Sequence, residues 1–285
     1  MILRRNNSPY GQGSAPSALG GGLMRLGAPL IIGLLFAGFS YFKYCNTKTY
    51  NEHLGIYQHV SLTPDQEIAI GLQSAPEMVQ QHGGLDPDQR GQQIVKEVGQ
   101  KLVQASVASK TPYNYDFHLL ADPQLVNAFA LPGGQVFITR ALFDQLKNKD
   151  QLAGVLGHEI GHVIGRHSGE RMEKDGLLRG LAGAAGVALG DYGASQMAQQ
   201  VAMLIGLKYG REQELQSDDL GIRFMIDAGY QPEQMIDVME ILKAASGGAQ
   251  RDEFSSTHPD PENRKEKILE SIQKYRSQGT ARPPQ

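Results

Sequence analysis

The segment Val155-Leu156-Gly157-His158-Glu159-Ile160-Gly161-His162 decides how this chain is read. It has the form H-E-x-x-H. On a helix, residues four apart point the same way, so the His158 and His162 imidazoles can reach one metal ion. Glu159 lies about 100° around the helix from His158, where it can face a water on that ion without being a ligand. Leu152, Val155, Leu156, Ile160, Val163 and Ile164 make the surrounding helix largely apolar. Three polar side chains are costly in such a setting unless they serve a site, which argues against two merely hydrogen-bonded core histidines.

Two histidines fall short of the three protein ligands that a catalytic zinc usually has. His167 is nearest in sequence, but on a continuous helix it stands about 180° from His158. It therefore reads as a polar neighbour or a surface residue. The segment Arg211-Glu212-Gln213-Glu214-Leu215-Gln216-Ser217-Asp218 offers carboxylates instead. Glu214 and Asp218 are one turn apart and share a face, so Glu214 can bind a metal while Asp218 orients a histidine through its other ring nitrogen. Spacing alone does not choose between Glu214 and Glu212, and a solvated charged helix is the plain alternative.

Working outward, Thr63-Pro64-Asp65-Gln66 opens a helix, with Thr63 as cap and Pro64 in the first turn. Residues 46–63 read as extended or loop-like. A second helix is expected over 90–106, with Ile94, Val98, Leu102 and Val103 on one face. Strands are expected at 115–120 and at Gln135-Val136-Phe137-Ile138-Thr139, the latter introduced by the turn Pro132-Gly133-Gly134, with a short strand at 127–130 between them. Helices follow at 140–146, 149–168, 211–228, 232–245 and 262–275. The fold class is α+β and predominantly helical, with a small sheet before the H-E-x-x-H helix.

The composition narrows the chemistry. The chain has 285 residues, 40% of them hydrophobic and 20% charged, enough for a sizeable core. Its one cysteine, Cys45, excludes an internal disulfide and any cysteine-rich metal site. The net charge of −3 gives no reason to expect nucleic-acid binding and averages two unlike parts. Residues 1–45 carry Arg4, Arg5, Arg25 and Lys43 and no acid; the remainder carries 23 basic and 30 acidic residues.

Residues 8–22 are mostly Gly, Ser, Ala and Pro and read as a flexible tail. Residues 26–42 (LGAPLIIGLLFAGFSYF) then run 17 positions without a charge. That is the lower limit for a membrane span, which takes about 20 apolar residues, with about 17 as the minimum. Tyr41, Phe42 and Tyr44 suit an interfacial aromatic belt. An uncleaved signal anchor is favoured. A cleaved signal peptide (Gly38 and Ser40 are small and two apart), a lipidated Cys45 and a buried core helix are the alternatives. Flanking charges lean slightly toward the N-terminus inside and the body outside. The expected organisation is a basic leader with its anchor in 1–45, a catalytic body over 46–275 and a polar tail over 276–285.

HEIGHVIGRH (158–167), EQELQSD (212–218), Thr257-His258-Pro259 and Arg264, with the upstream LPGGQVFITRALF (131–143), together resemble the M48 family of zinc metallopeptidases over roughly 115–275. The resemblance implies a zincin-like fold and one zinc ion per chain, held by His158, His162 and Glu214. It implies Glu159 as general base and acid, with Asp218 and Arg264 behind the ligands. His258 becomes an active-site candidate, either stabilising the oxyanion or approaching the metal in a resting state. On its residues alone, His258 is a loop histidine before a proline.

Gln135, Val136 and Phe137 are expected to pair with an extended substrate backbone. The Gly- and Ala-rich stretch 176–207 holds no segment long enough for a span and reads as a soluble helical hairpin over the active site. The chain then resembles the single-anchor, periplasmic branch, seated in a bacterial inner membrane and acting on unfolded or membrane-associated proteins. A non-catalytic metal-binding or chaperone-like module is the competing reading; Glu159 favours the enzyme.

Overall fold

The structure, a computed structural model, describes residues 20–189, 209–246, 251–252, 254–261 and 263–279. The expectations for residues 1–19, 190–208 and 280–285 lie outside these.

Helix α1 (Gly20–Cys45) contains the expected apolar span, with Pro29 inside it. Gly20, Gly21 and Gly22, read from sequence as flexible tail, form its first turn. Over Gly27–Cys45 it is long and apolar enough to cross a membrane. The 46–63 stretch is an antiparallel hairpin, β1 (Lys48–Asn51) with β2 (Ile56–His59). Asn51 Nδ2 donates to the Ile164 carbonyl at 2.9 Å and ties this hairpin to the body. Helix α2 (Pro64–Gln81) starts as expected: the Thr63 hydroxyl accepts from the Gln66 N–H, and the Gln66 side chain accepts from the Thr63 N–H.

Helix α3 (Gln89–Ala105) is capped by the Asp88 carboxylate. Its inward face is Gly91, Val95, Val98, Gly99 and Leu102, rotated slightly from the expected one, and Ile94 is left half-buried. Phe117 drives the rotation. Its ring occupies the space where a Gly99 side chain would go and lies directly against the helix backbone.

The sheet has the order β3 (Asp116–Leu120), β6 (Gln135–Thr139), β5 (Ala128–Ala130). β3 runs parallel to β6, and β5 folds back antiparallel on β6 through the Pro132-Gly133-Gly134 turn. Gly133 and Gly134 take φ of 83° and 109°, conformations that side chains resist. β4 (Leu125–Val126) pairs in parallel with β7 (Arg251–Asp252), a contact no local pattern announces.

The 140–146 helix is shorter than expected, α4 (Arg140–Phe143). Helix α5 (Lys149–Gly165), capped by Asn148, is buried from Gln151 to Gly165. It stops where Arg166 turns left-handed at φ 57°, and a new helix, α6 (His167–Leu189), begins. The single helix expected over 149–168 is therefore two. Helix α7 (Arg211–Asp227) packs along α5 at close range: a Cβ on Gly161 would stand 2.8 Å from the Ser217 carbonyl oxygen. α8 (Gln234–Ser246), the short α9 (Phe254–Thr257) and α10 (Arg264–Gly279) complete the described elements. α10 runs past the expected end at 275 because no breaker precedes Gly279. The core lies between α3, the sheet, α5, α7, α8 and α10, with Val98, Leu119, Ile138, Leu156, Ile160, Phe224 and Ile268 at its centre.

Candidate active site

Because α5 is buried on all sides, His158, Glu159 and His162 sit in the interior. The two Nε2 atoms stand 3.0 Å apart. α7 brings Glu214 between them, with Oε2 3.3 Å from His158 Nε2 and Oε1 3.4 Å from His162 Nε2. Glu212 is exposed on the opposite side of α7, so packing makes the choice that spacing left open. The turn after α9 supplies His258, whose Nδ1 is 3.1 Å from Glu214 Oε1 and 3.3 Å from His158 Nε2. One ligand atom from each of His158, His162, Glu214 and His258 lies within 4.8 Å of the others.

Behind this cluster, Asp218 Oδ1 is 2.8 Å from His158 Nδ1. Arg264, at the start of α10, donates to both Asp218 oxygens at 2.7 and 2.9 Å and lies 3.5 Å from Glu214 Oε2. All four residues are buried.

Of the two readings of His167, the polar neighbour holds and the surface residue does not. The side chain is fully buried, not at the surface, because the left-handed Arg166 breaks the helix and returns His167 toward α5. Its Nδ1 is 2.9 Å from His162 Nδ1 and its Nε2 is 3.0 Å from Gln216 Oε1. Burial pushes its pKa down to about 4, so it is neutral. Gln216 Oε1 accepts a hydrogen bond from His167 Nε2–H, which leaves His167 Nδ1 to accept from His162 Nδ1–H. Tyr209, not anticipated, stacks on His162 at 3.9 Å, and Phe254 stacks on His258 at 4.2 Å. Nothing in their local sequence marks these aromatics; the signal for His167 was the Gly165-Arg166 pair as a possible helix stop.

The donor set fits a metal cation. With the Nδ1 positions of His158 and His162 engaged by Asp218 and His167, both Nε2 atoms converge beside a carboxylate. Both Glu159 oxygens, Glu214 Oε2 and His258 Nε2 are buried without a hydrogen-bond partner. Burial alone would raise the Glu214 carboxyl, yet His258 and His158 hold it well below the usual range. Burial raises the Glu159 carboxyl, countered in part by His258 and His158. Burial disfavours a charged His158, but Asp218 and Glu214 outweigh it and lift its pKa to about 9. A dry pocket with this excess of carboxylate attracts positive charge.

Gln135, Val136 and Phe137 are buried on the middle strand of the sheet, flanked by β3 and β5. Both edges of β6 are taken, so it has no hydrogen-bonding edge left for a substrate. That expectation fails because the Gly133-Gly134 turn folds β5 over it.

A family model described as peptidase family M48 matches residues 89–272, well over half of the chain and every residue of the cluster. The chain belongs to peptidase family M48. The resemblance carried by the sequence motifs and the zincin-like fold are thus borne out. Among relatives of this M48 chain is the beta-barrel assembly-enhancing protease of Escherichia coli K12, 33% identical over 182 residues, or 60% of this chain and 37% of the relative. The chain therefore spans little more than a third of that relative's length. The mitochondrial metalloendopeptidase OMA1 of Saccharomyces cerevisiae is 27% identical over 278 residues, 90% of this chain and 77% of the relative. Metalloprotease YcaL of Escherichia coli K12 is 30% identical over 166 residues, 57% of this chain and 63% of the relative.

Proposed function

We propose that this M48 chain is a membrane-anchored zinc endopeptidase acting on misfolded or envelope proteins. Glu159 carries the reading. Its carboxylate is buried without a hydrogen-bond partner beside a converging set of imidazoles and a second carboxylate, and metal binding alone has no use for it. His158, His162 and Glu214 would hold the ion, with Asp218 and Arg264 fixing His158 and Glu214. When bound, zinc supplies Lewis-acid polarisation and lowers the pKa of a water to about 7. Glu159 takes the proton of the attacking water on a carboxylate oxygen. Burial has already made that carboxylate more basic, and it then passes the proton to the leaving amine.

His258 has its Nδ1 among the donors and its Nε2 3.8 Å from Glu159 Oε1. This position favours the resting-state role, in which His258 fills the place a substrate needs and must turn away before it can face an oxyanion. Of the two edge strands, β3 and β5, it is β5 that packs against α5, so Ala128–Ala130 takes over from β6 as the strand that receives an extended substrate.

The exposed apolar surface of α1 supports the anchor, with residues 46–275 as the peptidase body. The relative named for enhancing β-barrel assembly supports a place in the bacterial envelope, and the charges flanking α1 lean toward a body on the periplasmic side of the inner membrane. The test uses the full chain in detergent, with bound zinc measured alongside cleavage of an unfolded protein. Glu159→Gln should retain zinc and lose cleavage by about 100-fold or more, within the range that a general base supplies. Equal cleavage by the variant overturns the mechanism, and zinc binding without cleavage by the unaltered chain points to the non-catalytic module.

A further inference from the structure

The described half of the 176–207 stretch does not lie over the active site: α6 runs along α1, one of the most extensive packings in the fold. The two helices are antiparallel, since Cys45 leads into the body at β1 and His167 leaves it from α5. A side chain on Gly180 would occupy the place of the Ser40 hydroxymethyl group. On α1 the inward positions are Gly33, Ala37, Ser40 and Tyr44, spaced by three or four, and on α6 Ala184 is buried against the pair.

This contact sets the depth of each residue. The charged turns of α6, Glu170 to Asp175, lie level with the end of α1, where Tyr44 stacks on His59 of the hairpin and Glu173 bonds Ser61. From Gly180 to Leu189 the sequence GLAGAAGVAL carries no charge. Ten residues of helix reach about 15 Å, half of a hydrocarbon core about 30 Å thick. Arg179 is level with the aromatic end of α1, where a long cationic side chain can reach the head groups. Facing away from α1, Leu178 and Leu181 are 55% and 38% exposed, level with the exposed α1 residues Phe39, Tyr41 and Phe42.

We propose that α6 enters the acyl region of the bilayer beside α1, so that the membrane unit is a packed helix pair and not a lone anchor. The proposal rests on the reading of α1 as an anchor. A second crossing is not implied; α6 dips in from the side of the catalytic body. Small residues at the interface suit helix association in lipid, where close backbone approach replaces the hydrophobic drive. Lipid is the occupant because the exposed face of α6 continues the apolar surface of α1. Since α6 begins at His167, whose ring contacts His162, the metal-ligand cluster is joined to the head-group level at Arg179 by about 18 Å of continuous helix.

The chain contains no tryptophan, so an introduced one reports alone. Three variants of the full chain, Leu181→Trp, Phe36→Trp and Leu72→Trp, are reconstituted in phosphatidylcholine vesicles with and without bromine on the acyl chains. Emission at 36 and 181 should lose most of its intensity in the brominated vesicles, and emission at 72, exposed on α2, should not change. Quenching at 36 without quenching at 181 overturns the proposal and leaves the anchor standing; a second copy or another part of the chain would then cover the α6 face. No quenching at 36 overturns the anchor itself. Should Leu181→Trp not fold, Leu178→Trp tests the same face one turn nearer the head groups. It should respond most strongly to bromines placed shallow in the chain; an emission unaffected by bromine at any depth overturns the proposal.

Discussion

His162 is held from two sides, by the stacked ring of Tyr209 and by Nδ1 of His167. A hydrogen bond on the non-ligating nitrogen fixes a ligand's tautomer and ring orientation, and its loss typically costs 10- to 100-fold in metal affinity. His167→Phe should therefore weaken zinc binding by about 10- to 100-fold, read by competition with a chelator, while His167→Asn, which keeps an acceptor, should lose less. Equal affinity in all three proteins would remove His167 from the site. At this scale His158, Glu159 and His162 were legible from spacing alone, because a helix converts an interval of four into a shared direction. Glu214 was half legible. It and Glu212 are two positions apart, about 200° around the helix, and nothing local says which of the two faces inward. His167 was left between a polar neighbour and a surface residue because its orientation hangs on one left-handed residue, Arg166.

Among the elements, the pairing of α5 with α7 carries the site. Gly157 and Gly161 on α5 face Gly221 and Ser217 on α7, and a Cβ at Gly161 would come 2.9 Å from the Ser217 Cα. Gly161→Ala should push the helices apart, costing about 1–3 kcal/mol of stability as overpacking does and loosening Glu214 from the histidines. Urea unfolding and zinc stoichiometry measure the two effects, and an unchanged protein would show that the approach is not limiting. Helix starts were readable where a capping side chain precedes the first turn, as at Thr63, and β6 was readable from the Pro132-Gly133-Gly134 turn before it. Its neighbours were not. Strand order depends on which segment docks against a free edge, so a strand that looked open to substrate lies in the middle of its sheet.

Across the whole molecule, Glu67 joins three distant segments: from α2 it accepts from the Tyr113 hydroxyl at 2.6 Å and from Arg166 Nε at 3.1 Å, at the break between α5 and α6. Burial raises its pKa, and Tyr113 and Arg166 offset only part of that. A carboxyl raised in the folded state contributes stability that is complete below its unfolded pKa and is lost as pH climbs through the folded value. The unfolding free energy of the unaltered protein minus that of Glu67→Gln should thus be largest near pH 4, about the ordinary carboxyl range, and shrink as pH rises. Urea midpoints across that range decide it, and a difference that grows with pH would refute the shift. By itself the amino-acid sequence determined the H-E-x-x-H helix, the family, the single apolar span near the N-terminus and the absence of any cysteine-based site. All of these depend on residue type and local spacing. The family resemblance pointed to Glu214 and Arg264, but spacing left it to the tertiary structure to bring Glu214 and not Glu212 to the histidines, to carry Arg264 to Asp218 from another helix, to make β6 interior and to lay α6 along α1. Each of those is a contact between segments far apart in the chain, set by which buried surfaces fit together, and local periodicity carries no record of it.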